Sequence, residues 1–261
     1  MTAEPNEARR SGQERREPVA PHPHLRGYYE TEQTRSRWVV DLFDRTAQHY
    51  NTIEALFGNG GLWYRRFSLR RAGLGEGMKV LDVAIGTAAV ARGAAQLVGP
   101  EGRVFGVDPS RGMLAQAQRV FGGPLTRGVA ERLPFRDDHF DFVTMGIALR
   151  HVSDLVTTFG EYFRVLAPGG TLWILEGHVP RSRLGQRLTR FAWARVIPGM
   201  TWLSTRSRDA KLLMDFYWDT VEQCVPPETI VESLRKAGFD QARYRVVVPG
   251  AFCEYTARKR P

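Results

Sequence analysis

The stretch Met78-Lys79-Val80-Leu81-Asp82-Val83-Ala84-Ile85-Gly86-Thr87-Ala88 decides the fold of this chain. Met78 to Ala84 is a short apolar run that ends in small residues, the pattern of a strand buried on both faces. The residues that follow are small, so the chain can turn tightly and ligand atoms can approach the backbone. Ala88 to Leu97 then reads as a helix, whose N-terminus offers unpaired N–H groups and a partial positive charge. A second apolar run, Val104-Phe105-Gly106-Val107-Asp108, ends in an acid 22 residues beyond Gly86 (108 − 86). Strand, small turn, helix, strand and acidic tip together make one βαβ unit.

Outward from this unit the alternation continues. Arg103 to Val107, Phe140 to Met145 and Thr171 to Leu175 read as strands, with helices over Ser110 to Val120 and Ser153 to Leu166. In the last helix Leu155, Phe159, Phe163 and Leu166 share one face. Alternating strands and helices imply a parallel sheet with helices on both faces. Upstream, Trp38, Val39, Leu42, Phe43, Thr46, Ala47 and Tyr50 recur every three or four residues, which predicts a helix with one apolar stripe. A second short helix is expected over Leu62 to Ala72. Downstream, Leu184 to Ile197 and Asp209 to Val221 read as helices rich in aromatic residues. Pro227 suits a first helical turn, Ile230 and Leu234 share a face, and Gly238 is placed to end that helix. Strands over Tyr244 to Val248 and Ala251 to Ala257 close the chain.

The organisation expected is therefore a basic, disordered tail over residues 1–26 and one domain over 27–261. Within the domain we expect N-terminal helices at 34–74, a binding core at 75–177, a helical lid at 178–225, and a closing helix with strands at 226–261. The tail assignment rests on its Arg- and Glu-rich composition and on Pro5, Pro18, Pro21 and Pro23.

The chain has 261 residues, of which 43% are hydrophobic, enough for one sizeable core. Its formal net charge of +9 raises nucleic acid, acidic membrane surfaces and anionic ligands as partners. The basic residues are scattered, with dense runs only at the two ends, and no nucleic-acid reader motif accompanies them, so no nucleic-acid partner is expected. Cys224 and Cys253 form neither a CxxC pair nor a bridge framework, and no apolar signal segment opens the chain. A cytoplasmic location is expected on those grounds. No run of 18 apolar residues exists, which leaves peripheral contact with a bilayer surface open. No HExxH or similar spacing is present, and no bound metal is expected.

A turn like that at Ala84 to Ala88 suits a dinucleotide or S-adenosylmethionine. The dinucleotide fingerprint asks for G-x-G-x-x-G, whereas the turn here is Ala-Ile-Gly-Thr-Ala-Ala, with no second glycine for the pyrophosphate. Asp108, at the strand tip, is placed to accept hydrogen bonds from both hydroxyls of a ribose.

Further blocks carry a family resemblance: Phe43-Asp44-Arg45-Thr46-Ala47-Gln48-His49-Tyr50, Ala130-Glu131-Arg132-Leu133-Pro134-Phe135, His139-Phe140-Asp141, Gly146-Ile147-Ala148-Leu149-Arg150-His151-Val152-Ser153-Asp154, and Phe163-Arg164-Val165-Leu166-Ala167-Pro168-Gly169-Gly170. With these, the chain resembles class I S-adenosylmethionine-dependent methyltransferases. More narrowly it resembles the ubiquinone/menaquinone C-methyltransferase family, from about Val39 to the end. The resemblance implies a Rossmann-like α/β fold: a doubly wound, mostly parallel seven-stranded sheet with an N-terminal helical addition and a helical lid insertion. It implies that S-adenosylmethionine is the cofactor and that Asp82, Ala84, Gly86, Asp108, Pro109, Met113, Val129, Ala130 and Glu131 surround it. The turn would face the methionine part, Asp108 the ribose, and Met113 the adenine. The sequence departs from the family at Ile85 and Ala88, both commonly glycine, and at Val129, commonly an acid. The family's Leu-Arg-Asn-Val is Leu149-Arg150-His151-Val152 here.

Methyl transfer is a displacement at a sulfonium, so the protein aligns donor and acceptor, excludes water and, where needed, removes a proton. Three residues are candidates for the chemistry: His151 as a base near a ring hydroxyl, Arg150 to stabilise a developing phenolate, and Tyr50 to orient substrate. Each has a blander reading. His151 would be a packing or capping residue, Arg150 would pair with Asp154 at i+4, and Tyr50 would belong to the core stripe. His49 and His178 are weaker candidates, and Asp219 is a further acid that could meet substrate. The function expected is C-methylation of an apolar, ring-containing small molecule, a quinol, phenol or polyketide-type ring. O- or N-methylation of another metabolite, and cofactor binding without methyl transfer, are the alternatives. A homodimer is compatible with all of them.

Overall fold

The computed structural model describes residues 17–56, 60–247 and 251–261. Seven strands form one sheet in the order β3-β2-β1-β4-β5-β7-β6. These are β1 (Lys79–Val83), β2 (Arg103–Asp108), β3 (Leu125–Arg127), β4 (Phe140–Gly146), β5 (Leu166–Gly177), β6 (Asp240–Val247) and β7 (Phe252–Arg258). The β1–β2, β1–β4, β2–β3 and β4–β5 pairs are parallel, while β7 runs antiparallel to both β5 and β6. Nine α-helices are described: α1 (Glu32–Leu56), α2 (Gly60–Arg71), α3 (Ala89–Val98), α4 (Arg111–Gln118), α5 (Leu155–Val165), α6 (Arg183–Phe191), α7 (Ile197–Thr205), α8 (Arg208–Glu222) and α9 (Pro227–Lys236). The expected doubly wound, mostly parallel α/β sheet is the one observed. Among the described residues no helix is long and apolar enough to cross a membrane.

Side-chain alternation along the strands makes two cores. Leu81, Val83, Val143, Met145, Leu172 and Ile174 face α5 and α9, with Leu155, Phe159, Ile230 and Leu234 packed on them. Val80, Phe142, Trp173 and Leu175 point the other way, against Leu69 of α2 and Ala91, Ala94 and Val98 of α3. A third cluster joins Leu25 and Tyr29 to Val39 and Leu42 of α1 and to Leu213, Met214 and Phe216 of α8. It attaches both helical additions to the sheet.

Local rules explain several boundaries. Ser110, Asp154, Ser182 and Ser207 each accept a hydrogen bond from a first-turn N–H of α4, α5, α6 and α8. Pro227 opens α9, as its fixed φ permits. The helix read from Leu184 to Ile197 is instead α6, a π-helical turn over Ala192–Val196, and α7. Pro198 lacks the N–H that the α-helical ladder needs, and the extra residue of the π turn takes up the mismatch. β3 has no counterpart in the strand pattern, because its three residues are too few and too exposed to carry a period.

The tail expectation is corrected for residues 17–26; residues 1–16 lie outside the described residues. Val19 N–H donates to Asp154 Oδ1 (2.7 Å), Leu155 N–H to Val19 O (2.9 Å), and Val225 N–H to Pro21 O (2.8 Å). His22 and Leu25 are buried. Three prolines hold this segment extended, so it lies as a strap across the start of α5 and the end of α8. Average composition hid the two residues that anchor it.

Candidate functional site

In a parallel sheet, strand order reverses at a switch point, and a crevice opens beyond the C-terminal strand ends there. Here the reversal falls between β1 and β4, and a cavity lies above it. Its wall includes Val83, Ala84 and Gly86 from β1 and its turn, Asp108 to Ser110 and Met113 after β2, Gly128 to Glu131, Met145 to Ala148 after β4, and His151 with Val152. Helix α1 closes the other side with Ser36, Val39, Val40, Phe43 and Tyr50.

The turn is built from left-handed residues: Ala84 (φ 54°), Gly86 (φ 57°) and Ala88 (φ 66°). Two hydrogen bonds tie it to β2. Ile85 N–H donates to Val107 O (3.1 Å) and Gly86 N–H to Asp108 Oδ2 (2.9 Å). Ser110 N–H donates to Asp108 Oδ1 (2.9 Å). Asp108 thus braces the turn while lining the cavity. Burial raises its pKa to about 6, against the two backbone donors that lower it, so it is ionised at neutral pH.

The departures at Ile85 and Ala88 fall away from the cavity. Both side chains are buried in the core under the turn. Ile85 fills space over Gly106, where an added Cβ would sit 2.3 Å from Ile85 Cδ1. Val129 stays on the cavity wall with Ala130 and Glu131, and Glu131 accepts hydrogen bonds from Ser153 N–H (2.7 Å) and Oγ–H (2.8 Å). Asp82 is the one cofactor candidate off the wall. It is fully buried on β1 and accepts from Thr144 Oγ1 (2.6 Å), and burial raises its pKa to about 7.

Of the candidates for chemistry, His151 and Tyr50 line the cavity and Arg150 does not. The 3-10 turn Leu149–His151 sends adjacent side chains in different directions. The Arg150 pairing with Asp154 is corrected. Arg150 Nη1 meets Glu176 Oε1 (2.5 Å), Nε donates to Thr220 Oγ1 (3.0 Å), and the guanidinium lies 4.1 Å from the Tyr217 ring centroid. Asp154 instead caps α5. A buried cation demands a buried anion, and among the described residues Glu176, at the end of β5, supplies it. His151 is held edge-on by Phe43 (5.3 Å) and stacked on Phe216 (5.5 Å). Its two ring nitrogens are buried with no hydrogen-bond partner in the described structure. Burial, then the charges of Arg150 and Arg35, push its pKa well below the usual imidazole value. Asp219 accepts from the Tyr28 hydroxyl (2.5 Å) and is not on the wall, because that bond ties it to the N-terminal segment.

Sequence reasoning missed the contribution of α1 beyond Tyr50. The apolar stripe was visible, yet periodicity does not say that Val39, Val40 and Phe43 face a cavity. It also missed Asp44, which accepts from Ser110 Oγ–H (2.5 Å) and Gly112 N–H (2.8 Å) and so clamps α1 onto the loop after β2.

A cavity at the switch point, with an acid at the β2 tip and a left-handed turn after β1, defines the class: a Rossmann-like S-adenosylmethionine-dependent methyltransferase. The ubiE/COQ5 methyltransferase family model matches residues 30–259, and the chain belongs to that family. It is 33% identical over 237 residues to a demethylmenaquinone methyltransferase of Symbiobacterium thermophilum, covering 87% of this chain and 94% of the relative. It is 35% identical to a ubiquinone/menaquinone biosynthesis C-methyltransferase UbiE of Geobacter sulfurreducens, covering 85% and 88%. Among solved structures, it resembles in fold a Haemonchus contortus phosphoethanolamine N-methyltransferase in complex with S-adenosyl-L-methionine. The TM-score is 0.60 at 21% identity, covering 84% of this chain and 57% of that one.

The residues present fit the cofactor. An ionised carboxylate, Asp108, stands where a ribose needs acceptors. An added Cβ on Gly86 would meet only the Ala84 carbonyl, at 3.9 Å, so the turn is open toward the cavity. The N-cap of α3, Ala88, makes no side-chain bond to its first N–H groups, while Ala91 N–H one step further in is held by Asp82.

Proposed function

We propose that the enzyme methylates a ring carbon of a quinol- or phenol-like small molecule. The observation that carries this reading is the His151 imidazole, unpartnered at both nitrogens on the wall that also bears Ala84, Gly86 and Asp108. S-adenosylmethionine supplies an electrophilic methyl group when bound. Asp108 would hold its ribose, the turn from Ala84 to Gly86 its methionine part, and Pro109, Met113, Val129, Ala130 and the Glu131 backbone its adenine.

A ring carbon becomes nucleophilic when a hydroxyl on the same ring gives up its proton. With its pKa depressed, His151 is neutral at pH 7 and can accept that proton. Arg150, paired with Glu176 and bonded to Ile147 O, is a positioning residue that braces the turn carrying His151. Phe43 and Phe216 fix the imidazole plane, and Val39, Val40 and Val152 offer an apolar wall that excludes water. Tyr50, on the same wall, would orient the acceptor. The names of the relatives, demethylmenaquinone methyltransferase and UbiE, agree with an acceptor of this chemistry.

The test is transfer from methyl-labelled S-adenosylmethionine to a panel of reduced naphthoquinols, simple phenols and amines, with NMR assignment of the product. We expect a new ring C–CH3 resonance from the quinol. Product methylated on oxygen or nitrogen would overturn the proposal.

A further inference from the structure

The lid carries a surface that the cavity does not use. Between residues 177 and 208 the chain has seven arginines and neither aspartate nor glutamate. Helix α6 buries none of its residues and exposes its apolar stripe. Gly185 and Thr189 are half-exposed, whereas Leu184 (68% exposed), Leu188 (61%) and Phe191 (65%) stand open to solvent. Their spacing of four and three puts them on one stripe. Arg183, Arg187 and Arg190 form a parallel stripe one residue, about 100°, round the helix. Trp202 (44%) and Leu203 (58%) extend the apolar exposure onto α7. By contrast α9 buries Ile230 and Leu234 completely, so the pattern on α6 is not a general looseness of the fold. Arg190 pairs with Glu222, while Arg183, Arg187 and Arg195 have no ion pair among the described residues.

Leucine, phenylalanine and tryptophan on one face, with arginines beside them, is the arrangement of a helix lying in a bilayer interface. The apolar stripe enters the acyl boundary, and the arginines meet anionic headgroups. We propose that the α6–α7 face docks on an anionic lipid bilayer. A second copy of the chain is a poorer occupant, because an isologous contact would bring this single-signed arginine cluster against itself. The inference rests on the surface alone and stands whatever acceptor the cavity takes. Docking would hold the lid at the boundary where apolar ring compounds dissolve.

The experiment is co-sedimentation of the full chain with vesicles of phosphatidylcholine alone and of phosphatidylcholine with 30% phosphatidylglycerol, at low and high salt. The Leu184→Glu/Leu188→Glu and Arg183→Glu/Arg187→Glu variants are run beside it, with sedimentation velocity of each protein in the absence of lipid. We expect binding to the anionic vesicles that high salt weakens and that each double variant reduces at least tenfold. S-adenosylmethionine affinity should be unchanged in both variants, which shows that they fold. Absence of binding to the anionic vesicles, or equal binding by the leucine variant, would overturn the proposal. So would a dimer without lipid that the leucine variant dissolves, since the face would then belong to a second copy.

Discussion

On the proposed reading Asp108 binds cofactor and His151 takes a proton, and single substitutions separate the two. Asp108→Ala removes the acceptor at the β2 tip and the brace on Gly86. Calorimetric titration should show S-adenosylmethionine affinity falling at least tenfold, about 1.4 kcal/mol. His151→Ala should leave that affinity within a few-fold while kcat falls by about 10²- to 10⁴-fold, the usual range for a lost general base. The pH dependence of kcat/KM adds a further check. Because the native pKa of His151 is depressed, the acid limb should lie below about pH 6.5, the ordinary imidazole value, and should vanish in the variant. His151 also shapes stability. Below about pH 6.5 the unfolded chain binds a proton there that the native state refuses, so stability falls with acidification. Asp82 acts in the opposite sense. Its native pKa of about 7 exceeds the carboxylate's ordinary 3.8, so its contribution is fully present below pH 4 and is lost as pH rises through 7. Asp82→Asn should therefore be more stable than the parent at pH 8, by ~1–3 kcal/mol in denaturant titrations, with the gap closing toward pH 4.

Between elements, two polar clamps assemble the site. Glu176 at the end of β5 holds Arg150, and Arg150 reaches Thr220 on α8 and, through its carbonyl, Arg35 on α1. The strand end, the 3-10 turn and both helical additions thus meet at one buried ion pair. Removing one partner strands a buried charge, so Glu176→Gln should cost ~3–5 kcal/mol. For a chain of this size that lowers Tm by roughly 6–20 °C in a calorimetric scan. The second clamp is Asp44, which fastens α1 to the start of α4. Asp44→Ala removes bonds to Ser110 and Gly112, and should cost ~1 kcal/mol. It should also weaken cofactor affinity a few-fold, because Ser110 and α1 both line the cavity. An unchanged affinity would mean that α1 holds its place by apolar packing alone.

Across the whole molecule, a Rossmann-like sheet and its loops supply one side of the cavity and α1 the other, while the second helical addition packs on α1 through α8. The strap over residues 17–26 joins them. It bonds to the start of α5 and to Val225 after α8, and His22 meets Arg35 of α1 (3.0 Å). Arginine only donates, so His22 accepts there through Nε2 while its Nδ1–H donates to Pro23 O (2.7 Å). A chain beginning at residue 27 loses these bonds and, with Leu25 gone, uncovers the cluster around Leu42 and Phe216. We expect it to be less stable by ~2 kcal/mol or more than a chain beginning at residue 17. Hydrogen exchange should rise in α1 and α8 and stay unchanged in β1 and β4.

The sequence by itself determined six of the seven strands, because a short apolar run and the change to a period of three to four are local properties. Lys79–Val83, Arg103–Asp108 and Phe140–Gly146 were legible in this way, as were the places of the turn at Gly86 and the acid at Asp108 along one βαβ unit. Only the tertiary structure decided which neighbour each polar group meets. Arg150 found Glu176, 26 residues away, in place of Asp154, four residues away. His151 was left unpartnered between Phe43 and Phe216. Ile85 turned into the core rather than toward a ligand. The strap at 17–26 escaped composition because two buried residues, His22 and Leu25, suffice to anchor an extended segment. Spacing along the chain specifies the direction a side chain takes from its own element, but burial and pairing depend on elements far apart in sequence, and only their packing brings those together.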